Sequence, residues 1–188
     1  MASDLADWPN HLVAGDLLEP RPVHSHTTVI IPFDDRVLFV RLLNCVELPR
    51  RLSEALVRLT IAKINLDAVI VEGTSRESLR LGPGHMEDSA LPGYSGNSVI
   101  VAHRDTFFRH LDELHEGDRI YLRRQGEVYR FEVTGRRVVE PTDLSVLRQA
   151  SSAQLTLITC YPTHYVGPAP KRLVVVARLI ARLKSSGE

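Results

Sequence analysis

Alternation of apolar and polar residues dominates the chain from about residue 58 onward. TIAKI, DAVIVEG, NSVIVAH, RIYLRR, EVYRFEVTGRRVVE, QLTLITC and KRLVVVARLI are short β-prone runs separated by turn residues. The alternation in VYRFEV is what a strand buried on one face requires. LGPGHMEDSALPGYSGN reads as a long glycine-rich loop, TFFRHLDEL as a short helical turn ended by Gly117-Asp118, and PTDLSVLRQ as a capped turn. So many short strands with small helical pieces predict a mostly-β barrel or sandwich.

The first third has another texture. Residues 1 to about 26, ending LLEPRPVHSH, are rich in Pro, His and Asp and read as a loop or loosely attached arm. TVIIPF and RVLFVRLL flank Asp34-Asp35 and predict a hairpin, with Pro32 confining its strand to an edge. PRRLSEALVRL carries Leu52, Leu56 and Leu59 at helical spacing, with Ser53 as a cap, and predicts a short helix.

Composition narrows the class without naming it. The 188 residues are 44% apolar and 24% charged, enough for one domain with a proper core. Net charge is zero at pH 7 and the basic doublets are scattered, so no nucleic-acid partner is expected. Two cysteines, Cys45 and Cys160, cannot make a disulfide framework, and no Cys/His cluster has zinc spacing. No apolar run reaches the ~18 residues that span a bilayer, and no signal pattern opens the chain.

Three residues stand where strands meet loops. Cys160 ends QLTLITC just before Tyr161-Pro162; alone, such a cysteine is more often buried and inert than reactive. His103 ends NSVIVAH and is followed by Arg-Asp-Thr. Of the eight histidines, His11, His24 and His26 fall in the arm, His110 and His115 on a polar turn, and His85 and His164 in loops. Arg172 opens the last strand, where a guanidinium offers five donors in a fixed fork; taken singly it reads as a snorkelling side chain.

Their joint occurrence changes this reading. GNSVIVAHRDTFF, TLITCYP and APKRLVVVA, in this order, resemble the sortase family of cysteine transpeptidases, and HRDTFF with TCYPxxYVGPAPKR resembles its class D members. The similarity runs from about Leu59 to Leu179. It implies an eight-stranded sortase-type β-barrel with short helices, residues 57–183, preceded by an arm or extension of residues 1–56 and followed by a tail of 184–188. It also implies Cys160 as nucleophile, His103 as general acid/base, Arg172 as stabiliser of oxyanion and substrate, and Thr159 as a substrate-binding neighbour. His85, in GPGH, matches the subfamily pattern and is assigned loop ordering. Ala102 departs from the glycine usual before the histidine, and Thr163, His164 and Tyr165 replace the usual residues after TCYP.

The resemblance further implies cleavage of an LPxT-like sorting signal on a secreted protein through a thioacyl enzyme. Transfer would be to an amine of the cell envelope, a cell-wall peptide or a pilin lysine. No metal or organic cofactor is implied, and the expected place of action is the extracytoplasmic face of a bacterial membrane. Two other readings stay open on sequence: a cysteine hydrolase using the same three residues, and a catalytically silent peptide-binding barrel.

Overall fold

The structure is a computed structural model that describes residues 26–33, 36–43, 57–164 and 167–184. The chain divides into two compact units, the smaller being Ala14–Glu54. In it β1 (His26–Phe33) and β2 (Arg36–Leu43) form a two-stranded antiparallel sheet. Phe33 pairs with Arg36, which leaves Asp34-Asp35 as the two-residue connection. Pro32, opposite Val37, sits in a sheet where every strand is an edge. His26, expected in the arm, is the first residue of β1.

The larger unit is a closed eight-stranded barrel in the order β10-β8-β7-β3-β4-β5-β6-β9, with β10 hydrogen-bonded to both β8 and β9. Its strands are β3 (Val57–Ile61), β4 (Leu66–Glu72), β5 (Gly84–His85), β6 (Gly96–Val101), β7 (Arg119–Arg124), β8 (Glu127–Val139), β9 (Ala153–Tyr161) and β10 (Lys171–Lys184). β4 with β5 and β6 with β9 pair in parallel, and the remaining neighbours are antiparallel.

Period-two alternation decides which side chains enter the barrel. Leu59, Ile61, Ile100, Leu122, Phe131, Leu155, Leu157, Leu173 and Val175 fill its interior and are all at most 2% exposed. A second apolar layer lies on the outer face of β6, β9 and β10: Val99, Val101, Ile158, Cys160 and Val174, covered by Leu79 of α1 (Ser78–Leu81) and by Val146 of a 3-10 helix, Leu144–Leu147. β6 is therefore buried along its whole length. Asn97 pins this cover: its Nδ2 donates to the carbonyls of Val146 (3.0 Å) and Arg148 (3.1 Å), while its Oδ1 accepts from Thr156 Oγ1 (2.6 Å).

Four segments depart from the sequence expectation. Helical spacing over residues 49–59 gives way to strand β3 at Val57, because Val57, Leu59 and Ile61 alternate inward in a β ladder with β4 and β7; residues 49–56 lie outside the described part. TIAKI is strand only to Ile61 and turns as a 3-10 helix over Ala62–Ile64, closed by Asn65 at φ +50. The long loop after Leu81 also holds β5, whose two residues bridge β4 and β6. The expected helical turn over 106–114 is a series of turns ending in a 3-10 helix, Leu111–Glu113. Among the described residues, no helix is long and apolar enough to cross a membrane.

Candidate active site

Strand register brings the three sequence candidates to one place. Cys160 and Arg172 are direct partners across the antiparallel β9–β10 pair. Directly opposed residues on such strands have their Cβ atoms about 4.5–5.5 Å apart on the same face. That face is the outer one, since Ile158 and Cys160 on β9 and Val174 on β10 belong to the outer apolar layer. β6 runs parallel to β9 with Val101 beside Ile158, and the Ala102 amide continues the ladder to the Ile158 carbonyl at 3.2 Å. Continued one residue further, the same register sets position 103 opposite position 160, two residues beyond the end of β6.

Burial differs among them. Cys160 is 2% exposed and Arg172 4%, whereas His103 is only half-buried. Arg172 Nη1 donates to the carbonyls of Lys171 (3.0 Å) and Ala169 (3.2 Å), which steadies the guanidinium at the strand entrance. Thr159 has the opposite parity to Cys160 and is wholly buried; its Oγ1 donates to the Ala102 carbonyl at 2.8 Å. The hydroxyl thus ties β9 to the junction that carries His103.

Arg104 was not singled out by sequence, although it directly follows His103. Its Nη1 donates to the Pro162 carbonyl at 2.9 Å and its Nη2 to the Gly167 carbonyl. One side chain therefore joins the loop after His103 to both limbs of the loop after Cys160. The HRD string carried the signal, but the partners are backbone carbonyls some sixty residues away, which no local pattern reveals.

The remaining histidines separate clearly. His85 is 2% exposed, with Nδ1 at 2.9 and 3.1 Å from the Glu72 carboxylate oxygens and Nε2 at 3.1 Å from the Ala90 carbonyl. Carboxylate and carbonyl oxygens only accept, so these surroundings favour the imidazolium, in which both ring nitrogens donate. Burial alone favours the neutral ring, but the hydrogen bond and charge of Glu72, with the Ala90 carbonyl and Glu87, raise His85 above its ordinary value. Ser89 Oγ, 3.0 Å from His85 Nε2, donates to the Met86 carbonyl and accepts from the Val99 amide, so this network fixes the loop against β6. His164 is exposed, with Nε2 3.6 Å from Asp112 Oδ2 and its ring 6.2 Å from that of His110. His110 pairs with Glu113 and His115 lies against Lys63. Cys45, His11, His24 and Tyr165 lie outside the described residues. Among the described residues no group of three or more His, Cys, Asp or Glu is arranged to hold a metal ion.

A closed mixed barrel that pairs a cysteine with an arginine on one outer face, with a histidine just past the end of the neighbouring strand, defines a class of thiol-bearing β-barrel. The sortase-domain model matches residues 59–180, and the chain belongs to the sortase family. It is 39% identical over 123 residues to Sortase D of Bacillus subtilis, covering 65% of this chain and 62% of that one. Sortase A of Listeria monocytogenes is 29% identical over 126 residues, covering 64% and 54%. The chain thus spans roughly three-fifths or less of the length of these two relatives. Among solved structures, a Clostridium perfringens Sortase D5 transpeptidase superposes with a TM-score of 0.62 at 31% identity, over 68% of this chain and 79% of that one. Sortase A of Corynebacterium diphtheriae gives 0.63 at 34% identity, over 71% and 63%.

Proposed function

We propose that the protein is a cysteine transpeptidase that cleaves an LPxT-like sorting signal of a secreted protein and transfers the new carboxyl end to an amine. The observation that carries this reading is the cross-strand pairing of Cys160 with Arg172 on the outer face, with His103 beside them at the end of β6.

In this proposal the Cys160 thiolate attacks the threonine carbonyl carbon of the signal. A C–S bond forms, and the carbonyl oxygen takes up negative charge. The Arg172 guanidinium, with backbone N–H groups, stabilises that oxyanion and favours the thiolate beforehand. His103, as imidazolium, gives its proton to the departing amine as the C–N bond breaks. An incoming amine then attacks the thioester and passes a proton to His103. The C–S bond breaks and the thiolate returns. Thr159, its hydroxyl spent on the Ala102 carbonyl, serves substrate binding by fixing the end of β9 that carries Cys160.

Sortases work at the bacterial cell envelope, and we place this chain at the extracytoplasmic face of the membrane. Its acceptor is a cell-wall peptide or pilin lysine amine. The test is mass analysis of products from an LPxT-containing peptide with and without a saturating amine such as triglycine. Aminolysed product supports transpeptidation; exclusively hydrolysed product at saturating amine overturns it in favour of a hydrolase.

A further inference from the structure

The inward faces of β7, β8 and β10 change character at the end of the barrel remote from Cys160. β10 is 14 residues long, so the path from Arg172 at its start to Lys184 at its end is roughly 40 Å at about 3.3 Å per residue. Along β8 the inward positions run Val133, Phe131 and Tyr129, all buried, and then Glu127. Along β7 they run Ile120, Leu122, both buried, and then Arg124. Register places Arg124 and Lys184 on either side of Glu127, and Arg182 beside Tyr129. The barrel mouth is thus polar and charged where the interior positions of these three strands are apolar.

These residues, with Tyr94 and the turn Gln125-Gly126, line a cavity of about 440 Å³. Gly93 brings the loop that closes one side against the Tyr129 ring: it has φ +91, and a Cβ there would lie 2.5 Å from that ring. Three cations face one carboxylate, a net charge of +2. The carboxylate is already engaged, since Glu127 Oε2 accepts from Tyr129 Oη (2.6 Å) and from Arg182 Nη2 (2.6 Å) and Nε (3.1 Å). Arg182 also lies over the Tyr129 ring at 5.3 Å, and Arg124 over the Tyr94 ring at 5.4 Å. Arg124 Nε is shielded from solvent and has no hydrogen-bond partner among the described residues. A guanidinium held over a ring and only partly satisfied, beside a lysine, is a poised anion receptor.

We propose that this mouth binds a phosphate monoester anion, with Arg124 and Lys184 as its contacts and the half-exposed Tyr94 as a platform for the attached carbon skeleton. A phosphate monoester carries about −1.5 to −2 charge at pH 7, which matches the +2 of the lining. Barrel mouths are common places for ligand sites. The monoester arrives on a sugar or on a lipid headgroup, and inorganic phosphate probes the bare anion contacts. The site is separate from the proposed catalytic face, so its test does not depend on that reading.

The experiment is an amide-resolved NMR titration of the full chain at fixed ionic strength, with inorganic phosphate and, separately, a hexose 6-phosphate. A third arm is sedimentation with phosphatidylcholine vesicles containing or lacking phosphatidic acid. Saturable shifts confined to residues 93–94, 124–127 and 182–184 are expected, weakened at least tenfold in Arg124→Gln/Lys184→Gln, a variant expected to keep the parent melting temperature and peptide cleavage. Tighter binding of the hexose phosphate than of inorganic phosphate assigns the sugar source, and co-sedimentation only with phosphatidic acid assigns the lipid. The proposal is overturned if no arm shows binding, or if the double variant binds as well as the parent, which would mean an adventitious ion only.

Discussion

Arg104 connects two loops that strand register alone leaves independent at their tips, through the carbonyls of Pro162 and Gly167. Both loops flank the proposed nucleophile and base, whose relative position must hold to a fraction of an ångström for efficient transfer. We expect Arg104→Ala to lower kcat/KM by about 10–100-fold, mostly in kcat, and Arg104→Lys to recover part of it. Steady-state kinetics with a fluorogenic signal peptide read this out; a rise in KM at constant kcat would instead make Arg104 a substrate contact. Thr159→Val removes the donor to the Ala102 carbonyl at a fully buried site and should cost about 1–3 kcal/mol, seen as a lower denaturation midpoint. An unchanged midpoint would remove the hydroxyl from the frame of the site.

His85 gives a signed pH dependence at the same scale. Its value is raised in the folded chain. The stabilisation it contributes is fully present below the unfolded value of about 6.5 and is lost as pH rises through the higher folded value. The gap in stability between wild type and His85→Gln should therefore be wider near pH 5.5 than near pH 9. Urea midpoints at the two pH values measure it, and an equal gap at both would contradict the imidazolium assignment.

At the scale of elements, β5 shows where sequence reading stops. Gly84-His85 is too short to display any alternation, so the segment reads as loop, yet it bridges β4 to β6 and closes that side of the barrel. Its glycine is dictated by backbone proximity: a Cβ at Gly84 would lie 2.3 Å from the Gly73 carbonyl oxygen and 2.8 Å from Leu79 Cδ2. We expect Gly84→Ala to destabilise the fold by about 1–3 kcal/mol, and a denaturation midpoint equal to wild type would refute the close approach. The long strands were legible because alternation persists over many residues, as in Tyr129, Phe131 and Val133 of β8. Residues 57–59 misled because Leu59 completes a helical series with Leu52 and Leu56 and equally a strand series with Val57 and Ile61, and only pairing with β4 and β7 chooses. The outer apolar layer was not legible either, since it needs α1 and the 3-10 helix at Leu144–Leu147 folded back onto β6 and β9.

At the scale of the molecule, the barrel pairs residues 160 and 172 and sets the end of β6, with residue 103 just past it, alongside them, although sequence separates these positions by up to 69. The candidate site was legible as a set of residue types at strand ends, matched to a family; the shared face and the cross-strand pairing come from the register. The Arg104 clamp and the cationic mouth at the far end were not, because both depend on contacts between distant loops and strand ends. A thiolate and an imidazolium that must coexist titrate as one coupled pair, so kcat/KM should follow a bell-shaped pH profile, and a monotonic profile would argue against the pairing. The most direct measurement is intact-mass spectrometry of the protein incubated with an LPxT-containing peptide. We expect wild type to gain the mass of the acyl fragment, lose it on addition of an amine, and Cys160→Ala to gain nothing. No adduct on wild type across a panel of such peptides, or the same adduct on Cys160→Ala, would contradict Cys160 as the nucleophile.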